Sequence, residues 1–216
     1  MISHEYRTPL AIIRGNIDLI QLKNKHANVV KPVEITKIQR AIDRLVEVMD
    51  ESMHESRFLE SRKVPLKPVQ LVPVITSQVE SFLALWPDQE IEYSGNLKGG
   101  EIFGDPSQLK IAIFNLLDNA RKYSPPDSLI ELECCQEGDE AVIRIRNQST
   151  PITKGEAEVL FEKYHRGRNS MNTGGAGLGL WMVKNIIEEH NGQICLEGIA
   201  SGVEISIRLP LFHKVG

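Results

Sequence analysis

The chain reads as an α+β protein: an antiparallel helical hairpin, followed by an α/β sandwich domain with a mixed sheet. Three observations predict this. Apolar residues recur at helical spacing from Leu10 to Leu59; prolines at 65, 68 and 73 break that pattern; and beyond them short alternating strands are interspersed with helical runs. A chain of 216 residues with 41% hydrophobic residues suffices for one large domain or two small ones with real cores. We place the boundary at 62/63.

In the first part Leu10, Ile13, Ile17 and Ile20 recur in steps of three and four, which predicts a helix from about 2 to about 25. Ile35, Ile38, Ile42, Leu45 and Met49 repeat the pattern and predict a second helix running towards Leu59. The link from His26 to Pro32 is short, so the two helices are antiparallel neighbours. Two helices cannot cover both of their apolar stripes, whose large side chains each contribute about 1.5–3 kcal/mol on burial. The economical answer is a homodimer sharing one four-helix bundle.

The stretch from Ser61 to Pro73 reads as a linker. After it the pattern predicts a helix over 74–85, strands at 90–93 and 101–103, and a helix to Tyr123 opened by Asp105 as N-cap and Pro106 as first helical residue. Strands over 129–136 and 141–147 are joined by Glu137-Gly138-Asp139, a hairpin turn. A short helix over 154–161, a polar stretch over 163–173, a glycine-rich run, a helix, and strands over 193–197 and 203–209 complete a mixed sheet with helices on one face.

Composition narrows the function. A net charge of −4 with both signs interspersed leaves no basic footprint for nucleic acid or an anionic membrane. No apolar run reaches the roughly 20 residues of a membrane span. Three cysteines, two of them adjacent, make no disulfide framework and point to a reducing compartment.

Three motifs carry chemistry. Four glycines lie between Gly174 and Gly179, at the entry to a helix that continues through Leu180 and Trp181. They let the backbone approach a ligand while the helix aims free N–H groups at it, so a phosphate is expected there. Asn115 and Asn119 share one helix face with Lys122 three residues on. Their amide oxygens suit a hard cation and the lysine a phosphate, the pattern of ATP with Mg²⁺. His4 lies one turn before Thr8 with Glu5 beside it. An imidazole whose second N–H is held by a carboxylate is a good nucleophile, and Pro9 bends the helix just beyond it.

Together the motifs resemble those of bacterial two-component sensor histidine kinases. SHEYRTPL (residues 3–10) is similar to their phosphoacceptor box, NLLDNARKY (115–123) to their N box, FEKYHRG (161–167) to their F box and GAGLGL (175–180) to their second glycine box. The likeness covers essentially the whole chain, with the motifs in the family's order. It implies a dimerisation and histidine-phosphotransfer domain over 1–62 and an ATP-binding catalytic domain over 63–216. His4 is then the phosphorylated residue, Glu5 its acid/base partner, and Thr8 the residue that orients water in a phosphatase reaction. Asn119 holds Mg²⁺ with Asn115 close to it, Lys122 reaches phosphate oxygens and Tyr123 lines the nucleotide pocket. Gly175, Gly177 and Gly179, with Leu178 and Leu180 between and after them, admit the phosphates beneath a lid that supplies Arg166. The resemblance also implies ATP and Mg²⁺ as ligands and the receiver domain of a response regulator as partner. It further implies an origin in the cytoplasmic part of an inner-membrane sensor whose upstream segments are missing, the fragment itself being soluble.

One stretch departs from the family. Its first glycine box usually reads Asp-x-Gly-x-Gly, the aspartate accepting from the adenine amino group; here Asn147 to Pro151 (NQSTP) stand in that place. A charged hydrogen bond contributes about 1.5–3 kcal/mol against about 1 for a neutral one, so the expectation is weaker ATP binding that relies on phosphates and Mg²⁺ and discriminates poorly against GTP. This leaves a non-catalytic dimeric scaffold or a phosphatase-biased module as one alternative. The other is an ATPase of the wider superfamily of topoisomerases and heat-shock chaperones. Those branches carry a glutamate where this chain has Asn115, and an amide cannot serve as a general base for hydrolysis.

Overall fold

The computed structural model describes residues 13–17, 20, 38, 65–97, 100–163, 165 and 177–212. They belong to two compact units, which are taken separately. In the first, residues 13–17, 20 and 38 are helical. Ile13, Ile20 and Ile38 are half-buried, and Ile17 is 41% exposed. The remaining residues of the predicted hairpin lie outside the described set.

The second unit runs β1 (Lys67–Gln70), α1 (Leu71–Leu85), β2 (Ile91–Gly95), β3 (Glu101–Gly104), α2 (Pro106–Tyr123), β4 (Ile130–Glu137), β5 (Glu140–Gln148), α3 (Lys154–Val159), α4 (Gly179–Glu189), β6 (Gln193–Ile199) and β7 (Gly202–Pro210). Five strands form one sheet in the order β2-β4-β5-β7-β6. β2 runs parallel to β4 and the remaining pairs are antiparallel, so the sheet is mixed, as expected. β1 and β3 make a separate antiparallel pair.

Alternation along the strands gives the sheet two unlike faces. Leu132, Ile145 and Ile205 are register partners across β4, β5 and β7, all buried, and so are Cys134, Ile143 and Ile207 one step on. This face meets the helices, whose buried residues follow the 3.6-residue period: Leu109, Ala112, Ile113, Leu116, Leu117 and Ala120 on α2, and Met182, Val183, Ile186 and Ile187 on α4. The opposite face is a ladder of ion pairs. Arg146 bridges Glu204 (2.5 Å) and Glu133 (3.2 Å), Arg208 bridges Glu137 (2.7 Å) and Glu140 (3.1 Å), and Arg144 also holds Glu137. Hydrogen bonds from Arg144 and Arg208 hold the Glu137 carboxyl below the usual carboxylate range. On the apolar side, burial, with Cys135 and Glu133 nearby, pushes the Cys134 thiol up to about 12, so it behaves as core.

Most predicted elements are present with ends shifted by a residue or two. The start of α2 is as expected: Asp105 is extended, its Oδ1 accepts from the Ser107 N–H at 2.8 Å, and Pro106 follows. The buried His190 ring ties this start to the end of α4. Its Nε2 accepts from the Asp105 N–H (2.9 Å) and its Nδ1 lies 2.7 Å from the Ile186 carbonyl, which makes Nδ1 the protonated nitrogen. Two corrections concern the linker reading of 61–73. Residues 67–70 form β1, and α1 begins at Leu71 with Pro73 inside its first turn. Pro68 is tolerated because β1 has one partner strand, and Pro73 because first-turn N–H groups lack intrahelical acceptors.

Candidate functional site

The site is built along the edge of α2 that does not enter the core. Burial of Leu116, Leu117 and Ala120 fixes the helix rotation, and that rotation leaves Asn115, Asp118, Asn119 and Lys122 half-buried at the edge. The start of α4 packs against this edge. A Cβ placed on Gly179 would lie 3.0 Å from Asn115 Oδ1 and 3.8 Å from Asn119 Nδ2, so glycine lets the α4 backbone come up to both asparagines. Gly177, with φ of 74°, makes the left-handed turn into the helix. Leu178 precedes α4 without a side-chain cap hydrogen bond, so the cap residue itself satisfies none of the first-turn N–H groups.

Contacts orient Asn115, Asp118 and Lys122 on this edge. Asn115 donates its amide to the Ile111 carbonyl at 2.8 Å, which turns its oxygen outward beside Gly179. Lys122, expected to reach phosphate oxygens, is paired within the helix: its Nζ lies 2.7 Å from Asp118 Oδ2, while Asp118 Oδ1 accepts from Arg121 at 2.9 Å. Asp118 was not among the expected site residues, although its spacing of three from Arg121 and four from Lys122 is the familiar helical ion-pair signal. Tyr123 is 38% exposed at the end of α2. Arg121 lies over the Trp86 ring, 4.5 Å from its centroid, which anchors it to the aromatic cluster of Phe82, Trp86 and Phe114.

At the far end of the same edge, Asn147 of β5 faces the helices, 6% exposed. Its Nδ2 donates to Ser124 Oγ at 3.0 Å and to the Gln148 carbonyl at 3.2 Å. Ser124, the C-cap of α2, was also missed, since its partner lies 23 residues away on another element. The structure thus brings together Asn115, Asn119, Gly177, Leu178, Gly179 and Leu180, with Lys122, Tyr123 and Asn147 further along. His4, Glu5, Thr8, Arg166 and Gly175 lie outside the described residues, as does most of the expected lid. At its base, Lys163 Nζ sits 4.6 Å from the Trp181 ring centroid.

An uncapped helix start, a glycine against two amides and an outward amide oxygen are donors and acceptors that fit a nucleotide phosphate with a hard cation. The fold and this edge fit a nucleotide-binding domain. Residues 104–213 match the family model described as histidine kinase-, DNA gyrase B- and HSP90-like ATPase, and residues 1–60 match that of the His Kinase A (phospho-acceptor) domain. The chain is 28% identical over 218 residues to the signal transduction histidine-protein kinase BaeS of Escherichia coli K12, covering 97% of this chain and 45% of that protein. It is 29% identical over 205 residues to the histidine-protein kinase/phosphatase MprB of Mycobacterium sp. strain KMS, covering 92% and 39%. Among solved structures, a mycobacterial sensor histidine kinase MprB superposes with a TM-score of 0.60 at 30% identity, over 68% of this chain and 97% of that one. Acinetobacter baumannii AdeS gives 0.66 at 17% identity over 97% and 98%, a likeness of fold. The chain belongs to the bacterial two-component sensor histidine kinases. It spans less than half the length of these two curated relatives.

Proposed function

We propose that this chain is a protein-histidine kinase core that phosphorylates its own His4 from ATP and passes the phosphoryl group to an aspartate of a response-regulator receiver domain. The observation that carries this reading is the pairing of Asn115 with Gly179. The nucleotide site has its phosphate-facing backbone, yet the position that carries a water-activating glutamate in the hydrolytic branches holds an amide committed to Ile111. Such a site favours transfer to a protein nucleophile over hydrolysis.

In this mechanism the chain positions and neutralises charge. First-turn N–H groups of α4, with Gly175, Gly177 and Gly179, would receive phosphate oxygens; Asn119 and Asn115 would hold Mg²⁺, which would neutralise phosphate charge; Lys122, shared with Asp118, and Arg166 would balance the remainder. The His4 imidazole attacks the γ-phosphorus, the bond to the β-phosphate oxygen breaks, ADP leaves, and Glu5 holds the second ring N–H. Thr8 orients water when the phosphorylated regulator is dephosphorylated. We assign 1–62 to the dimerisation and phosphotransfer domain and 63–216 to the ATP-binding domain. Half-burial of Ile13, Ile20 and Ile38 and exposure of Ile17 in a single chain support a homodimer sealed by that stripe. Among the described residues no helix is long and apolar enough to cross a membrane. We place the chain in the cytoplasmic portion of an inner-membrane sensor. A solved complex of the kinase ThkA with the response regulator TrrA, 20% identical to this chain with a TM-score of 0.72, supports a receiver domain as partner.

The test is γ-labelled ATP with Mg²⁺. Wild type should acquire acid-labile, alkali-stable label, and His4→Gln should fall to background. Label retained in His4→Gln, or none in wild type, removes the assignment.

A further inference from the structure

The altered first glycine box leaves a question that the hydrogen bonds around Asn147 answer. An asparagine amide offers a ligand either an oxygen or an N–H, according to which way it is turned. Two neighbours decide the matter here. The Gln148 carbonyl, 3.2 Å from Asn147 Nδ2, can only accept. Ser124 Oγ has a single proton and donates it to the Ala120 carbonyl at 2.5 Å, so towards Asn147, 3.0 Å away, it too can only accept. The Ala120 carbonyl is one of the last four of α2, which lack intrahelical donors, and this holds the Ser124 hydroxyl to that role. Both Nδ2 hydrogens are committed. The group that Asn147 can turn to a ligand is therefore Oδ1, an acceptor.

Resting on the nucleotide-site reading above, we propose that Ser124 is a positioning residue. It locks the Asn147 amide with Oδ1 presented to the base, so that this chain selects a purine carrying an exocyclic amino donor at C6, adenine, over one carrying a carbonyl there, guanine. The proposal reverses the expectation of poor discrimination drawn from the loss of the aspartate: the charge is absent, but the acceptor is kept by a hydroxyl relay from the end of α2.

Removing the Ser124 hydroxyl leaves the Gln148 carbonyl, at 3.2 Å, as the one described acceptor that still holds the amide, so the orientation with N–H turned outward, a donor that suits the guanine carbonyl, becomes less costly. The experiment is competitive displacement of a fluorescent ADP analogue by ADP and by GDP from the whole 216-residue chain, in wild type, Ser124→Ala and Ser124→Thr, with melting temperatures alongside. Wild type should bind ADP about tenfold or more tighter than GDP, since an unmatched acceptor in a closed site is costly. Ser124→Ala should narrow that ratio about threefold or more, and Ser124→Thr, which keeps the hydroxyl, should hold it near the wild-type value. If Ser124 served only to cap α2, Ser124→Ala would lower the melting temperature and weaken both nucleotides alike with the ratio unchanged, and the proposal would be overturned. A wild type that binds both nucleotides equally overturns it as well. A wild type that binds neither defeats the nucleotide-site reading itself and this proposal with it.

Discussion

At Gly179 the chain stays bare: a Cβ is missing, α4 begins without a side-chain cap hydrogen bond, and the side-chain amides of Asn115 and Asn119 stand beside its half-buried backbone. At Asn147, along the same edge, every donor is already committed to Ser124 or Gln148. The first arrangement can bind whatever brings phosphate oxygens and a cation, because backbone N–H groups and amide oxygens read charge and reach rather than identity. The second arrangement reads one hydrogen-bond direction. On the proposed reading affinity and selectivity fall to opposite ends of one helix edge, and a change at either end should leave a different signature.

The largest effect is expected at the bare end. In Gly179→Val the added carbons meet Asn115 Oδ1, already 3.0 Å from the Cβ position alone. Overpacking of this kind costs about 1–3 kcal/mol, so ADP and GDP affinity should both fall by about tenfold or more with their ratio preserved. Calorimetric titration with each nucleotide checks this, and a change in the ratio would merge the two ends into one. A smaller effect is expected at Asp118. On the proposed reading its carboxylate competes with phosphate for Lys122, and a partly exposed pair of this type contributes about 0.2–1 kcal/mol. Asp118→Asn should therefore tighten ATP binding by a few-fold at low salt and lose that gain at high salt, measured in the same titration at two ionic strengths.

What could be read in advance follows the range of the interactions. The start of α2 was legible because its cap, proline and first turn are consecutive: Asp105, Pro106 and Ser107. The hairpin turn at Gly138, with φ of 61°, was legible for the same reason. β1 was missed because prolines 65 and 68 suggested a linker, and a strand with one partner tolerates a proline that a central strand would not. At the site, Asn115, Asn119 and the glycines were found as a local pattern. Ser124 was not, because its meaning depends on Asn147 arriving from β5, and that contact exists only once the sheet has formed. The same gap separates the expectation of weak base recognition from the proposal made above: the loss of an aspartate is visible in one dimension, and the contact of Asn147 with Ser124 is not. The phosphoacceptor box and Arg166 lie outside the described residues, and the labelling test above addresses His4 directly.

The division between the two ends is tested most directly by measuring ATP and GTP affinity, with and without Mg²⁺, in wild type, Asn119→Ala and Asn147→Ala. Asn119→Ala should remove the Mg²⁺-dependent part of binding for both nucleotides and leave their ratio alone. Asn147→Ala should keep the Mg²⁺ dependence and lose about 1 kcal/mol of ATP binding, the contribution of one neutral hydrogen bond, and with it most of the preference over GTP. If Asn147→Ala abolished binding of both nucleotides while Asn119→Ala left it intact, the base end would be the anchor and the division would be contradicted.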